Sequence, residues 1–186
     1  MTTLIILGII AAAVLFGITI YNKLVKSRQM VQEGWSGIDV QLKKRANLIP
    51  NLVAAVKGYM KHEKGLLEKI TELRARAAGM TDADPAARQQ VEQEISSVLG
   101  KIFVAVENYP DLKANQNVLD LQQQLAQIEN DIQMARRYYN GAVRDNNVLV
   151  ESFPSNLIAN YFRFEKAEYF ELENAADRQV PQVNLG

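Results

Sequence analysis

The chain has 186 residues, with 21 basic and 21 acidic side chains, so its formal charge is zero and no net field draws it to nucleic acid. Cysteine is absent and His62 is the one histidine, which excludes disulfides, thiolate metal sites and cysteine nucleophiles and leaves any metal centre to carboxylates. No cofactor is expected, and no enzymatic activity.

Residues 4–21 read LIILGIIAAAVLFGITIY, about eighteen positions without a charge, near the lower length limit for a helix that crosses a bilayer. No charged segment precedes the run and no small-residue cleavage signal follows it, so a retained single-pass anchor over residues 1–22 is expected rather than a cleaved signal peptide. Lys23, Lys26 and Arg28 directly follow the span, which places the remaining chain in the cytoplasm by the positive-inside rule. A periplasmic bundle is the competing orientation. Tyr21 stands where an interfacial aromatic belongs. Gly8 with Ala12, and Ala13 with Gly17, form two small-x-x-x-small pairs, a spacing that lets membrane helices approach closely and predicts a homo-oligomer. The competing explanation is the general abundance of Gly and Ala in membrane helices.

Beyond the span, apolar residues recur at intervals of three and four, and no segment alternates with period two. One stripe runs through Val31, Trp35, Ile38, Leu42 and Arg45, a second through Leu52, Val56, Tyr59, Glu63, Leu66, Ile70, Leu73 and Ala77. The longest includes Val118, Leu121, Leu125, Ile128, Ile132, Ala135, Tyr139, Ala142 and Asn146, enough for a helix of about thirty residues. Pro50 is best tolerated near a helix start, so a corner is expected there. Further breaks fall at residues 79–84, where Asp84 and Pro85 suit the N-cap and first helical position, at 108–111, and at 152–156 before a short helix from Leu157. Short connections make helices over about 24–47, 50–78, 85–106 and 115–147 antiparallel. The expected fold is all-α: an N-terminal transmembrane helix continuous with a four-helix bundle over residues 23–178, a short C-terminal helix, and a tail over 179–186. Gly34 and Gly37 are expected to weaken or bend the first bundle helix.

Several phrases are spread along nearly the whole chain: Tyr21-Asn22 at the membrane exit, Trp35 followed by residues 39–45 (DVQLKKR), residues 48–53 (LIPNLV), Lys57-Gly58-Tyr59 with His62-Glu63, residues 107–113 (ENYPDLK), residues 136–140 (RRYYN), and Phe153-Pro154. In this order they resemble the LemA family of bacterial membrane proteins, which places the anchor in a bacterial inner membrane. The chain departs from the family pattern at Asn146 and Asn147, where a tyrosine-asparagine pair is replaced. The resemblance implies a single-pass anchor and a long antiparallel bundle, and supplies no activity. By analogy it also implies association with a membrane protease or with the forming of membrane compartments.

Arg45 and Glu63 fall on facing seams beside the expected corner and can meet. Glu107, Glu129, Arg136 and Arg137 can join them in a buried polar network, with the hydroxyls of Tyr138 and Tyr139. A register-fixing role outweighs general acid-base chemistry for this set. His62-Glu63 resembles half of a zinc-protease helix, yet position 66 is Leu66 where the second histidine is required. Tyr161, Phe162, Phe164, Tyr169 and Phe170 form an aromatic cluster expected to cap the bundle, or else to dock a partner. Two functions remain in view: an oligomeric scaffold that organises or shapes a membrane domain, with lipid and its own copies as partners, and an adaptor for a membrane protease or cell-envelope system.

Overall fold

The computed structural model describes residues 1–80 and 85–170. Among them there are six α-helices and no strand: α1 (Thr2–Val56), α2 (Lys64–Ala78), α3 (Pro85–Val106), α4 (Pro110–Lys113), α5 (Gln116–Glu151) and α6 (Ser155–Tyr161). The all-α class and the long apolar N-terminal helix match the expectation from the sequence. Asp84 and the 179–186 tail lie outside the described residues. The chain divides into two compact units, one of Met1–Gln41 with Glu129–Tyr169 and one of Leu42–Ile128 with Phe170, so α1 and α5 contribute to both. The domain boundary expected after residue 22 falls inside α1.

In the first unit, α1 opens with an 18-residue apolar window of which 6% is buried. Leu4, Ile9, Leu15 and Phe16 are all exposed. A soluble core helix would bury such side chains, whereas a bilayer solvates them, and the chain is a membrane protein with this helix as its candidate span. From Ile20 onward α1 acquires a buried face through Leu24, Ser27 and Ile38, and α5 supplies Ile132, Tyr139, Ala142 and Val143. At Gly34 α1 and α5 approach closely: a Cβ there would stand 3.0 Å from Tyr139 Cα and 3.2 Å from Tyr138 Cδ1. Close approach is thus a role for Gly34 beyond the helix weakening expected from the sequence. Gly37, with nothing within 4 Å of a Cβ, has no such role.

In the second unit an aliphatic core joins Ile49, Leu52 and Val56 of α1 to Leu67, Ile70 and Leu73 of α2, Val91, Ile95 and Ile102 of α3, Leu112 of α4, and Val118 and Leu125 of α5. Fully burying each such side chain contributes about 1.5–3 kcal/mol. The corner expected at Pro50 is absent. Pro50 lies inside α1, which continues to Val56, and the chain turns instead over residues 57–63. Proline removes the N–H that would bond the carbonyl of Ala46. Arg74 of α2 replaces it, donating Nε to Ala46 O at 2.8 Å, so a side chain from the next helix satisfies the group that the ring orphans.

Candidate functional site

The most enclosed ionisable cluster lies in the second unit. Arg45 on α1 is 2% exposed, Arg88 and Glu92 on α3 are 8% and 3% exposed. Arg45 Nη2 meets Glu92 Oε2 at 2.7 Å, Arg45 Nη1 donates to Ser96 Oγ at 2.6 Å, and Arg88 Nε donates to Glu92 Oε1 at 2.8 Å. Both carboxylate oxygens of Glu92 are thus engaged by guanidinium groups, which fixes its charge and geometry. Arg88, Glu92 and Ser96 are spaced by four along α3, one face of a helix. That spacing was the signal by which the sequence could have named Glu92 as the partner of Arg45.

The Arg45–Glu63 pairing expected from the sequence is therefore corrected. Since the turn follows Val56 and not Pro50, Glu63 stands just before the first residue of α2, where it is half-buried and its carboxylate accepts a hydrogen bond from Tyr109 Oη at 2.5 Å. That bond first, then burial and the carboxylate charge, hold the Tyr109 phenol above its ordinary value of 10.0. Glu107 is exposed and pairs with Lys113 at 2.5 Å, so it belongs to the surface. Glu129 and Arg137 belong to the first unit, the former half-buried and the latter exposed, with the neighbouring Arg136 more enclosed. Of the six charged residues expected in a buried network, Arg45 alone is buried. Among the described residues no group of three or more acidic or histidine side chains could hold a metal ion.

Beside the 57–63 turn, a groove of about 560 Å³ is lined by the apolar Val53, Met60 and Leu67 together with Lys57, Lys61, Lys64 and Glu68. A smaller hollow of about 260 Å³ shares Val53, Lys57 and Thr71 with it and reaches Pro50 and Arg74.

In the first unit the four small residues of the anchor do not share one face. At 3.6 residues per turn Gly8 and Gly17 are about half a turn apart. A Cβ on Gly17 would lie 3.8 Å from Ile158 Cδ1 of α6, while Gly8 has nothing within 4 Å. Gly17 thus accommodates α6, and Gly8 with Ala12 keeps the exposed side. α6 packs on the end of the span: Ala159 and Phe164 form a core with Ile20 and Leu24, and the rings of Tyr21 and Phe162 meet edge-on at 4.8 Å.

After α6 the chain runs as a strap over residues 162–169 without regular structure. Asn147 of α5 grips it in both senses, donating Nδ2 to Ala167 O and accepting Ala167 N–H at Oδ1, each at 2.9 Å. Asn146 Nδ2 donates to Glu165 O at 3.3 Å and Tyr139 Oη to Glu168 O at 2.8 Å. Burial, then the Glu168 charge, raise the Tyr139 phenol above its ordinary value. Arg28 stacks over Phe164 at 5.1 Å. The aromatic cluster of the sequence is thereby split: Phe164 and Phe170 are buried, whereas Tyr161, Phe162 and Tyr169 are exposed.

The family model described as the LemA family matches residues 34–185. Protein LemA of Metamycoplasma hominis is 27% identical over 138 residues, covering 74% of this chain, and the chain spans 63% of that protein's length. Magnetosome protein MamQ 2 of Paramagnetospirillum magneticum is 23% identical and Magnetosome protein MamQ of Magnetospirillum gryphiswaldense 22%, each aligned to 88% of this chain and 70% of its own length. The family match begins at the Gly34 crossing and takes in the buried Arg45 cluster, the Tyr109–Glu63 bond and the Asn147 clamp: the chain belongs to the LemA family.

Proposed function

We propose that this protein is a non-enzymatic, membrane-anchored scaffold that assembles with copies of itself to organise or shape a membrane domain. The observation that carries this reading is the anchor surface itself, apolar and exposed, with Gly8 and Ala12 open on a side that α6 does not cover. Small residues there allow helix backbones to approach, and van der Waals packing drives such association in lipid. The enclosed Arg45–Glu92–Arg88 cluster supports a structural use of the buried charge. The kinship with magnetosome proteins accords with work at a membrane. Lys23, Lys26 and Arg28 after the span favour a cytoplasmic bundle on a bacterial inner membrane.

The test is the oligomeric state in mild detergent by light scattering, with Gly8→Ile and Ala12→Ile combined. The wild type is expected to be oligomeric and the double variant to dissociate. A strictly monomeric wild type overturns the scaffold. Protease added to sealed vesicles of known sidedness checks the orientation.

The second reading is an adaptor or regulator of a membrane protease or cell-envelope system. It is favoured by the lysine-rimmed groove around Val53, Met60 and Leu67 in the second unit. Crosslinking followed by pull-down separates the two, because an adaptor recovers one dominant partner and a scaffold mainly itself.

A further inference from the structure

We infer that α6 and its flanking turns form a second membrane contact, an interfacial wedge that enters the headgroup–acyl boundary of the leaflet from which α1 emerges. The inference rests on reading the start of α1 as a membrane span. Its position comes from packing within the first unit. Ile158 lies over Gly17, Ala159 joins the core of Ile20 and Leu24, and Phe162 meets Tyr21, so α6 sits level with the last turns of the span and the first turn after it. That is the depth at which a bilayer passes from hydrocarbon to headgroups.

The chemistry of the segment fits that depth and fits water poorly. No charged residue falls between residues 152 and 162, and Arg163 follows at once. The side of α6 turned away from α1 carries Leu157 and Tyr161, four apart, at 59% and 80% exposure, flanked by Phe153 at 79% and Phe162 at 52%. Four large apolar side chains this exposed on so short a stretch form a surface that a soluble protein would hide. Aromatic rings with an apolar body and a polar edge or hydroxyl settle at membrane interfaces, as Tyr21 does on α1. A hollow of about 330 Å³ between α1 and α6, lined by Gly17, Ile18, Tyr21, Ile158 and Phe162, offers a lipid chain segment an apolar berth at the same level. The occupant is lipid and not a second copy, because this surface is continuous with the exposed apolar girdle of the anchor that lipid must cover.

The cysteine-free chain makes the test direct. Full-length protein carrying a single Leu157→Cys, Tyr161→Cys, Ile10→Cys or Arg144→Cys change is labelled with an environment-sensitive fluorophore and reconstituted into phosphatidylcholine vesicles containing lipids with quenchers at graded depths. The probes at 157 and 161 are expected to blue-shift and to be quenched several-fold more than the probe at 144, most strongly by shallow quenchers, with the probe at 10 quenched by deep ones. Probes at 157 and 161 as unquenched as the one at 144, with the probe at 10 still quenched, overturn the wedge and leave the anchor intact. A blue shift without lipid quenching assigns the surface to protein and also overturns it. An unquenched probe at 10 removes the span and the wedge together.

Discussion

The two units of the chain solve the same packing problem with different materials. The second is held by a continuous aliphatic core and by a carboxylate, Glu92, enclosed between two guanidinium groups. The first has a sparser core, and relies on one close helix crossing at Gly34, on aromatic contacts around Tyr21 and Phe164, and on side-chain amides that hold an irregular strap. The contrast teaches where each is vulnerable. Aliphatic burial tolerates small changes at many positions, but a buried charge tolerates no loss of its partner. Local polar clamps fail one at a time, releasing a segment without dissolving the unit.

The largest effect is therefore expected in the second unit. Glu92→Gln keeps the shape and removes the charge, leaving Arg45 and Arg88 without their shared carboxylate. Urea unfolding of the detergent-solubilised chain should show a loss of about 3–5 kcal/mol. A loss below about 1 kcal/mol would mean that the cluster is not tightly enclosed. In the first unit Gly34→Ala presses a methyl against the Tyr139 backbone and should cost about 1–3 kcal/mol. Gly37→Ala, open on all sides, should stabilise by about 0.5–1 kcal/mol through helix propensity. Opposite signs at these two glycines are the sharpest check on the crossing.

A smaller and more local effect is expected at the strap. Asn147→Ala removes two hydrogen bonds to Ala167, about 1–2 kcal/mol together, and tryptic cleavage after Arg163 and Lys166 should quicken while the rest of the chain stays resistant. Uniform cleavage throughout would show that the strap is not separable. The smallest effect concerns pH. Both Tyr109 and Tyr139 hold their protons above the ordinary phenol value. The folded state therefore binds more protons than the unfolded one as pH rises past 10, so the contribution of these groups is complete below that value and is lost above it. Tyr139→Phe should remove the part of this alkaline slope that belongs to the first unit, read as the change in urea midpoint between pH 9 and pH 11.

Much of the fold was legible because helix breaks and apolar periodicity are local signals. The apolar span, the Pro85 helix start and the turn before Pro110 all follow from neighbouring residues, and the structure has them. Pro50 misled because the carbonyl it orphans finds its donor in a residue 24 positions later, Arg74, which no local pattern announces. Arg45 was recognisable as a buried charge on an apolar stripe, but its partner depended on where the chain turned, and moving that turn from Pro50 to the residues after Val56 exchanged Glu63 for Glu92. Asn146 and Asn147 looked like a departure from a family pattern, and nothing local announced that Asn147 would face a strap twenty residues on. Exposure at Leu157 and Tyr161 was likewise invisible, because an aromatic cluster in a sequence carries no indication of which rings the fold covers.

The Arg74–Ala46 bond also bears on the order in which the chain can fold as it leaves the ribosome. When residue 50 emerges, the carbonyl of Ala46, one turn before the proline, has only water to bond, because its donor Arg74 is still unmade. The end of α1 is therefore expected to gain stability once α2 is made and Arg74 replaces water at that carbonyl. A ribosome pause between residues 56 and 74 would leave the anchor inserted and the end of α1 still unsettled, an intermediate that proteolysis of stalled nascent chains can detect.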